Sequence, residues 1–491
     1  MDTDDGPAGP PPGLTRALAR YVSRTRYTDL PGRVVAGVKA SLLDAVGVTL
    51  AASTLSPECR PFAEMARNTG LAEATVLGFG HRTSAAAAAF ANGAMSHALD
   101  FEDAHESAPV HPNAATAAAA LAVAEREGAS GPRLITALAV GCDLASRLGL
   151  AVGTRLADAG WYPPPLLSVH GAVAAAASLL SLGEQATADA FALAMCQVAC
   201  TFEIVNGDRS VLRSVREAFS ARAAVDAADL AAGGVAGGPV PFEGPHGFFA
   251  SYSGGQLDVG PLLDGLGERF ETDHISYKMW PSCRGTHPFV EGALRIRSRW
   301  GLRAADVRGV RLTGGPIARM LTEPPERKAR PRTAIDAKFS LPFTVATALA
   351  HGDVTLDSFA GERLDDEAIL AMARLVRCEI DQGQPDNTAR VVVETTDGQV
   401  HSEFVTGVAG DPGRPLDSGT LEGKFRNCAA RATAPLPAGR IDQLVAAIGA
   451  LERVTDINRE LSPLLTPAGE SPAVSRAGQA QGKPWPESGG T

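Results

Sequence analysis

The first half of this chain has a helical periodicity that strongly limits its fold. Apolar residues recur every three to four positions from Leu14 to about Ala232, and alanine dominates them. This spacing predicts helices with one or more buried faces. Because alanine side chains let helices approach closely, we expect a tightly packed multi-helix body, in agreement with an aromatic content of only 5%. The periodic segments are Val34–Thr49, Thr83–Leu99, Asn113–Arg126, Pro132–Leu148, Ser168–Leu182 and Ala188–Ala199.

The pattern changes at a Gly/Pro-rich stretch that begins near Gly233. Strand-like segments follow at Val307–Thr313, Thr388–Thr396 and Val400–Val405, and the last two are joined by Asp397-Gly398, a hairpin signal. With the helical segments between them, they predict a smaller α/β domain. The predicted organisation is a disordered N-terminus at 1–13, a helical domain at 14–267 plus 408–457, an α/β domain at 268–407 and a largely disordered tail at 458–491.

The net charge and two uncommon stretches of sequence limit the partners and the location expected for this protein. The formal charge is −10, from 45 Lys and Arg against 55 Asp and Glu, which argues against nucleic acid as a partner. A small anionic ligand needs only a local cluster of cations. The acidic, Pro/Gly-rich start does not resemble a signal peptide, and the uncharged stretch Ala159–Leu182 is too rich in Pro, Gly and Ser to span a membrane. We therefore expect a cytoplasmic protein without a membrane partner.

The first candidate site is the segment from His97 to Pro112. It places three histidines and four carboxylates within fifteen positions, between two alanine-rich helices. Such a junction can bring polar side chains together in a pocket. A solvated loop with helix-capping carboxylates is an equally open interpretation, and the residue types also allow a metal site, although no clean ligand spacing is present.

The second candidate site runs from Tyr277 to His287. Lysine is scarce in this chain, and Lys278 lies close to Trp280 in the sequence, so burial is expected to lower the pKa of Lys278 and favour proton transfer. Arg284 and His287 add a guanidinium and a titratable ring. An ordinary interdomain turn with surface cations is the alternative.

A third cluster consists of arginines. Arg209, Arg213 and Arg216 have the spacing i, i+4, i+7, which predicts one helical face. Such a face can bind carboxylates or can simply be a solvated surface. The familiar nucleotide, zinc-protease and hydrolase motifs GxGxxG, GxxxxGK[ST], HExxH and GxSxG are absent from the sequence.

These segments resemble the MmgE/PrpD family, which includes 2-methylcitrate dehydratases, cis-aconitate decarboxylases and an iminodisuccinate epimerase. The resemblance runs in family order from about residue 14 to 455. The matching pieces are AAFANGAMSHALDFEDAH…HP at 88–112, FEGPHGFF at 242–249, KMWPSCRGTH at 278–287, DAKFSLPFTVATALAHG at 336–352 and GKFRNCA at 423–429.

The resemblance implies a mostly α fold, with a large all-helical domain interrupted by a smaller α/β lid domain, and a homodimer that uses neither a metal nor an organic cofactor. It places the active site between the domains. By motif position, the catalytic residues are Asp100, His111 and Lys278. Lys278 would act as base or acid, His111 would move a proton on another face, and Asp100 would orient a histidine. The substrate-binding candidates are Arg213, Arg216, Arg284, His287, Ala104, Tyr162 and Cys283.

The chain departs from the family pattern at three places. Ala104 stands where a threonine is frequent, Tyr162 stands where many members have histidine, and arginine replaces a lysine common on the middle helix. Dehydratase and decarboxylase members use these positions around a tricarboxylate, so the departures argue against that substrate.

The chemistry shared by the family's substrates is a C–H acid next to a carboxylate, which needs a positioned base and nearby cations. We therefore predict a lyase that eliminates water from a small hydroxylated polycarboxylate. The alternatives are an epimerase or isomerase, a decarboxylase, and an inactive homologue that only binds small acids.

Overall fold

The architecture is that of a computed structural model, which describes residues 9–67, 69–206 and 210–466. The described chain is mostly helical, as the sequence predicts. The helices of its first half are α1 Leu14–Arg24, α2 Gly32–Leu55, α3 Arg60–Ala66, α4 Ala85–Ala98, α5 Pro112–Glu127, α6 Gly131–Val152, α7 Arg155–Asp158, α8 Pro163–Leu179, α9 Glu184–Met195, α10 Leu212–Val215, α11 Glu217–Ala232, α12 Phe248–Ser253 and α13 Gly260–Leu263.

Small residues allow the helices of this first body to meet closely. A Cβ atom added to Gly141 of α6 would lie 2.6 Å from the carbonyl oxygen of Gly171 in α8, and one added to Gly171 would lie 2.5 Å from the carbonyl oxygen of Gly141. No real Cβ atom fits at that distance, so glycine is required on both helices where they cross. Alanine is the commonest residue of the surrounding core.

Two pairs of very short strands connect loops of the first body. β1 Ala74–Thr75 pairs with β2 Arg82–Thr83, and β3 Ala104–His105 pairs antiparallel with β4 Ile275–Ser276. The second pair is important for the site, because it fixes the loop after α4 beside the segment that leads to Lys278.

A second hydrophobic core is built around a four-stranded sheet. Its strands are β5 Val307–Gly314, β6 Val376–Ile380, β7 Thr388–Thr395 and β8 Val400–Thr406, in the order β6-β5-β7-β8. β5 and β6 are parallel, and the other two pairs are antiparallel. The helices of this part are α14 His287–Trp300, α15 Ile317–Thr322, α16 Pro325–Ala329, α17 Ala334–Lys338, α18 Leu341–His351 and α19 Glu367–Ala373.

The chain then returns to the first body. Helices α20 Ser418–Ala429, α21 Ala438–Gly449, α22 Ile457–Glu460 and α23 Ser462–Leu465 contribute buried residues to the first core. The expected tail therefore begins too early at 458, because Leu461 and Leu465 are buried there. Residues 1–8 and 467–491 of the two expected disordered ends lie outside the described residues.

Within the part of the chain that the structure describes, two helices, α2 and α6, are long and apolar enough to cross a membrane by length and composition. In α6, 94% of the apolar window is buried inside the protein. Core helices of this kind pass the same test, so the two helices are weak evidence for a membrane span.

Candidate functional site

A cavity of about 640 Å³ opens between the two hydrophobic cores. Val110 of the first core and Phe339 of the second both line it. Of the residues named from the sequence, those on its lining are Asp100, Ala104, His111, Tyr162, Arg213, Cys283 and Arg284. Seven residues from four separate stretches of the sequence therefore meet at one cavity.

Lys278 lies directly behind Asp100 and is fully buried. Its Nζ is 2.5 Å from the Asp100 Oδ1 atom and donates a second hydrogen bond to the Asp100 carbonyl, at 3.1 Å. Burial alone would lower the pKa of Lys278, but the carboxylates of Asp100 and Glu102 offset it and the pKa is raised. The expectation of a lowered pKa is wrong, because Asp100 and Glu102, which are far from Lys278 in the sequence, outweigh the effect of burial.

The backbone turns sharply at Asp100, immediately after α4. Asp100 has a φ of 49°, in the left-handed region that aspartate tolerates better than most residues. Its amide donates to the carbonyl of His97 at 2.8 Å. Burial tends to raise the pKa of Asp100, but Lys278 and two neighbouring histidines lower it overall, so this carboxyl is an anion.

Glu102 joins two histidines on the other side of Asp100. His97 Nδ1 hydrogen-bonds Glu102 Oε1, and the same oxygen lies 3.0 Å from His111 Nδ1. His111 Nδ1 is also 2.9 Å from the Asp103 carbonyl oxygen, which can only accept, so this nitrogen carries the proton. His111 Nε2 is therefore the nitrogen with a free lone pair.

The charge state of His111 follows from its surroundings. Burial lowers its pKa to about 3, although Glu102 acts in the opposite direction. The ring is neutral near pH 7 and its side chain remains 18% exposed at the cavity. This is the arrangement of a base that a neighbouring carboxylate can stabilise once it is protonated. We refer to His97, Asp100, Glu102, His111 and Lys278 as the charged network.

Sequence reasoning included His97 and Glu102 in the first cluster but assigned them no role. One signal was available: His97 precedes Asp100 by only three residues, and the two side chains lie close together at the end of α4. The position of Glu102 depends on the left-handed turn at Asp100, which periodicity does not reveal.

Ligand atoms of four members, His97, Asp100, Glu102 and His111, lie within 4.8 Å of one another. By residue type and spacing they could hold a divalent cation. Such an ion would have to compete with the Lys278 ammonium for Asp100, and with the two imidazole Nδ1 atoms for Glu102. The expectation of a metal-free site stays a prediction.

A second such group contains His105, Glu271 and His274. His105 Nδ1 accepts hydrogen bonds from the amides of Ser107 and Ala108, at 3.1 and 3.0 Å. The proton of the neutral ring is then on Nε2, which faces Glu271 at 3.2 Å. His105 thus presents a donor to this group and is poorly suited to bind a metal ion.

Arg213 lines the same cavity and is held there by an aromatic ring and a hydroxyl group. Its guanidinium carbon is 3.4 Å from the centroid of the Phe339 ring, and its Nε donates to the Tyr162 hydroxyl at 3.1 Å. Within the described residues, Arg213 forms no ion pair. Stacking fixes the plane of the guanidinium and leaves its charge available to an anion.

Arg284 also lines the cavity, but its charge is compensated. It forms ion pairs with Glu106 and Asp411, and its Nη1 donates to His287 Nδ1 at 3.0 Å. Burial lowers the pKa of Arg284, and Glu106 counteracts this effect. A substrate carboxylate would have to displace two protein carboxylates to bind here.

Two of the expected substrate-binding residues are not on the cavity lining. Arg216 is buried, with its Nε 3.1 Å from Glu217 Oε1. His287 is fully buried, and its Nε2 lies 3.2 Å from the Ser282 carbonyl oxygen. Of the three arginines expected on one helical face, Arg213 lies in α10, Arg216 lies between α10 and α11, and Arg209 lies outside the described residues.

Lys424 of α20 connects the two halves of the charged network. Its Nζ is 2.6 Å from Asp44 Oδ1 and donates to the carbonyl oxygens of Phe101, at 2.7 Å, and Lys278, at 2.9 Å. A single ammonium therefore holds the backbone beside both Asp100 and Lys278. Sequence reasoning noted its GKF motif but gave the residue no role.

Comparison with known proteins gives two matching family models. The MmgE/PrpD N-terminal domain matches residues 16–259, and the MmgE/PrpD C-terminal domain matches residues 280–449.

Curated relatives match over nearly the full chain. The cis-aconitate decarboxylase-like protein oryM of Aspergillus oryzae is 26% identical over 94% of this chain and 98% of its own length. A cis-aconitate decarboxylase of Aspergillus terreus is 25% identical with the same coverage. The cis-aconitate decarboxylase of Mus musculus is 23% identical over 75% of this chain and 76% of its own length.

Proposed function

Because this chain belongs to the MmgE/PrpD family, we propose that it is a lyase that acts on a small di- or tricarboxylic acid without a cofactor. The observation that carries this proposal is the neutral His111, which lines the cavity and has an unprotonated Nε2. Glu102 can stabilise the imidazolium that forms when this nitrogen takes a proton.

Loss of CO2 is our first candidate reaction, because the full-length relatives are named for decarboxylation. The C–CO2 bond breaks and leaves its electron pair on carbon, where a neighbouring carboxylate or double bond delocalises it. A proton then completes the C–H bond. A bound dianion raises the pKa of His111 through its negative charge, so that the ring can take a proton from solvent and deliver it to carbon.

Elimination of water is the second candidate, and the resting charge of His111 favours it. His111 Nε2 removes the proton next to the carboxylate, the double bond forms, and the C–O bond breaks. The same imidazolium returns the proton to the departing hydroxyl, so that water leaves and the base is regenerated. This reaction needs no protonated histidine at the start.

In this proposal Lys278 does not touch the substrate. Its Nζ is covered by Asp100, and Lys278 itself is fully buried. We propose that its ammonium keeps Asp100 ionised and positions it at the cavity.

The experiment uses cis-aconitate, citrate and a panel of other small di- and tricarboxylic acids in D2O, followed by NMR and by CO2 release. Decarboxylation releases CO2, dehydration forms an alkene without CO2, and epimerisation places deuterium at a stereocentre. His111→Gln should abolish turnover of any acid that reacts, whereas His274→Gln, at a ring that is 61% exposed, should not. Equal turnover by His111→Gln would contradict the assignment.

Two further expectations join this proposal. The resemblance implies a homodimer, and composition favours a cytoplasmic location. Sedimentation of the purified chain and fractionation of the cells that make it would test them.

A further inference from the structure

The cavity has few charges available for a substrate. Its described lining contains three carboxylates, Asp100, Glu106 and Asp386, and two guanidiniums, Arg213 and Arg284. Arg284 is paired with protein carboxylates, and the nearby Lys278 is paired with Asp100. Arg213 is then the one cation of the described lining that has no carboxylate partner. A tricarboxylate would leave two or more of its charges uncompensated in this cavity.

Part of the cavity lining is apolar. It includes the side chains of Phe202, Ile317, Met320 and Phe339, which we call the apolar wall. Two of these residues contact the Arg213 guanidinium, which stacks on the Phe339 ring and lies with its Nη2 3.7 Å from Met320 Sδ. Apolar surface of this kind gains free energy only from an apolar group that covers it.

The size of the cavity also exceeds the needs of a short acid. Its volume of about 640 Å³ falls in the range of about 300–1,000 Å³ that is typical of sites for drug-sized ligands. A six-carbon acid bound at Arg213 and His111 would leave the apolar wall exposed to water.

We infer that the substrate of this site has no more than two carboxylates and carries a hydrocarbon substituent. One carboxylate binds Arg213, the reacting carbon lies beside His111, and the substituent packs along the apolar wall. This inference deepens the proposed lyase function and rests on it for the position of the reacting carbon. The expected ligand is thus a substituted dicarboxylic acid, in which chain length replaces the third carboxylate as the source of affinity.

The test is calorimetric titration of the full chain with 2-alkylsuccinates from methyl to hexyl, and with propane-1,2,3-tricarboxylate. Each buried methylene should tighten binding about fourfold until the wall is covered. The tricarboxylate should bind at least about tenfold more weakly than 2-butylsuccinate. The inference is overturned if affinity is independent of chain length, if the tricarboxylate binds most tightly, or if no alkylsuccinate binds at millimolar concentration.

Two variants locate the substituent. Ile317→Ser should reduce the gain per methylene to less than twofold. Val400→Ser, at a 59% exposed position of β8, is the control and should keep the full gain. An unchanged gain in Ile317→Ser would contradict the placement.

Binding and turnover separate this inference from the proposed function. Affinity that grows with chain length, without product from the corresponding unsaturated or hydroxylated acids, would refute the lyase and support the substituent site. Turnover of short acids with no effect of chain length would support the lyase and refute the substituent site.

Discussion

The charged network and the apolar wall are built in opposite ways. Four of the five residues of the charged network come from positions 97–111, and their charges are compensated inside the fold. The apolar wall draws its residues from three separate stretches of the chain, and two of these residues contact a guanidinium that has no carboxylate partner among the described residues. The comparison suggests that proton transfer depends on a compact local segment, whereas selection among acids depends on tertiary packing that can change independently.

The largest effect is expected when the Lys278 ammonium is removed from the charged network. Lys278→Met leaves Asp100 buried without a counter-charge, so the free energy of unfolding should fall by about 3–5 kcal/mol. Lys278→Met combined with Asp100→Asn should recover most of this loss, and urea unfolding measures both. If the double variant is no more stable than the single one, the two residues are not coupled as described.

Replacement of His111 tests chemistry with little change in stability. His111→Gln should lower kcat by about 10²–10⁴-fold, the usual contribution of a general acid or base. Because the buried ring is neutral, the urea midpoint at pH 7 should change little. A large loss of stability with normal kcat would make His111 a structural residue.

Lys424 should influence the charged network through position alone. Lys424→Met frees the carbonyls beside Asp100 and Lys278, and we expect kcat to fall by up to about 10²-fold while ligand affinity at the apolar wall is retained. Lys39→Met, which removes another lysine that binds a carboxylate and a carbonyl, serves as the control. Loss of affinity together with kcat would point to general unfolding.

The pH dependence compares His111 with a histidine that has no carboxylate partner. Burial lowers the pKa of both His111 and His170 to about 3, from an ordinary value of 6.5. Between these values the unfolded chain binds protons that the folded chain does not, so stability is complete above pH 6.5 and is lost as the pH falls.

At pH 5, each of these histidines should lower the free energy of unfolding by about 2 kcal/mol, because this free energy changes by about 1.4 kcal/mol per pH unit below pH 6.5. Removal of one titrating ring in His170→Leu should reduce the loss between pH 7 and pH 5 by that amount, as measured by urea unfolding at the two values. An unchanged loss would show that His170 is protonated in the folded state.

The smallest expected effect concerns the hydroxyl beside the apolar wall. Tyr162→Phe removes the acceptor of the Arg213 Nε hydrogen bond, whose net contribution should be about 1 kcal/mol. We expect the Kd for alkylsuccinates to rise about fivefold with an unchanged gain per methylene. A reduced gain would mean that Tyr162 belongs to the apolar wall.

Periodicity was sufficient to predict the helical body and three of the four strands of the second core. It missed β6, whose five residues, Val376–Ile380, are too few to show a clear alternation. The resemblance supplied Asp100, His111 and Lys278, which the structure brings close together.

Charge compensation was much harder to predict. The partners of Arg284 are Glu106 and Asp411, which lie 178 positions before it and more than a hundred after it. Nothing in the local sequence indicates such pairs. The rise in the pKa of Lys278 has the same origin, because Asp100 precedes it by 178 positions.

The hydrogen bonds of Lys424 also determine when the site can form during translation. Its ammonium reaches the Lys278 carbonyl across 146 positions and the Phe101 carbonyl across 323. At about 5–20 residues per second, a ribosome needs about 7–30 s to add the residues between Lys278 and Lys424. A nascent chain therefore contains its acid and base groups well before the residue that aligns them. An interrupted translation product that stops short of α20 would lack the aligned site.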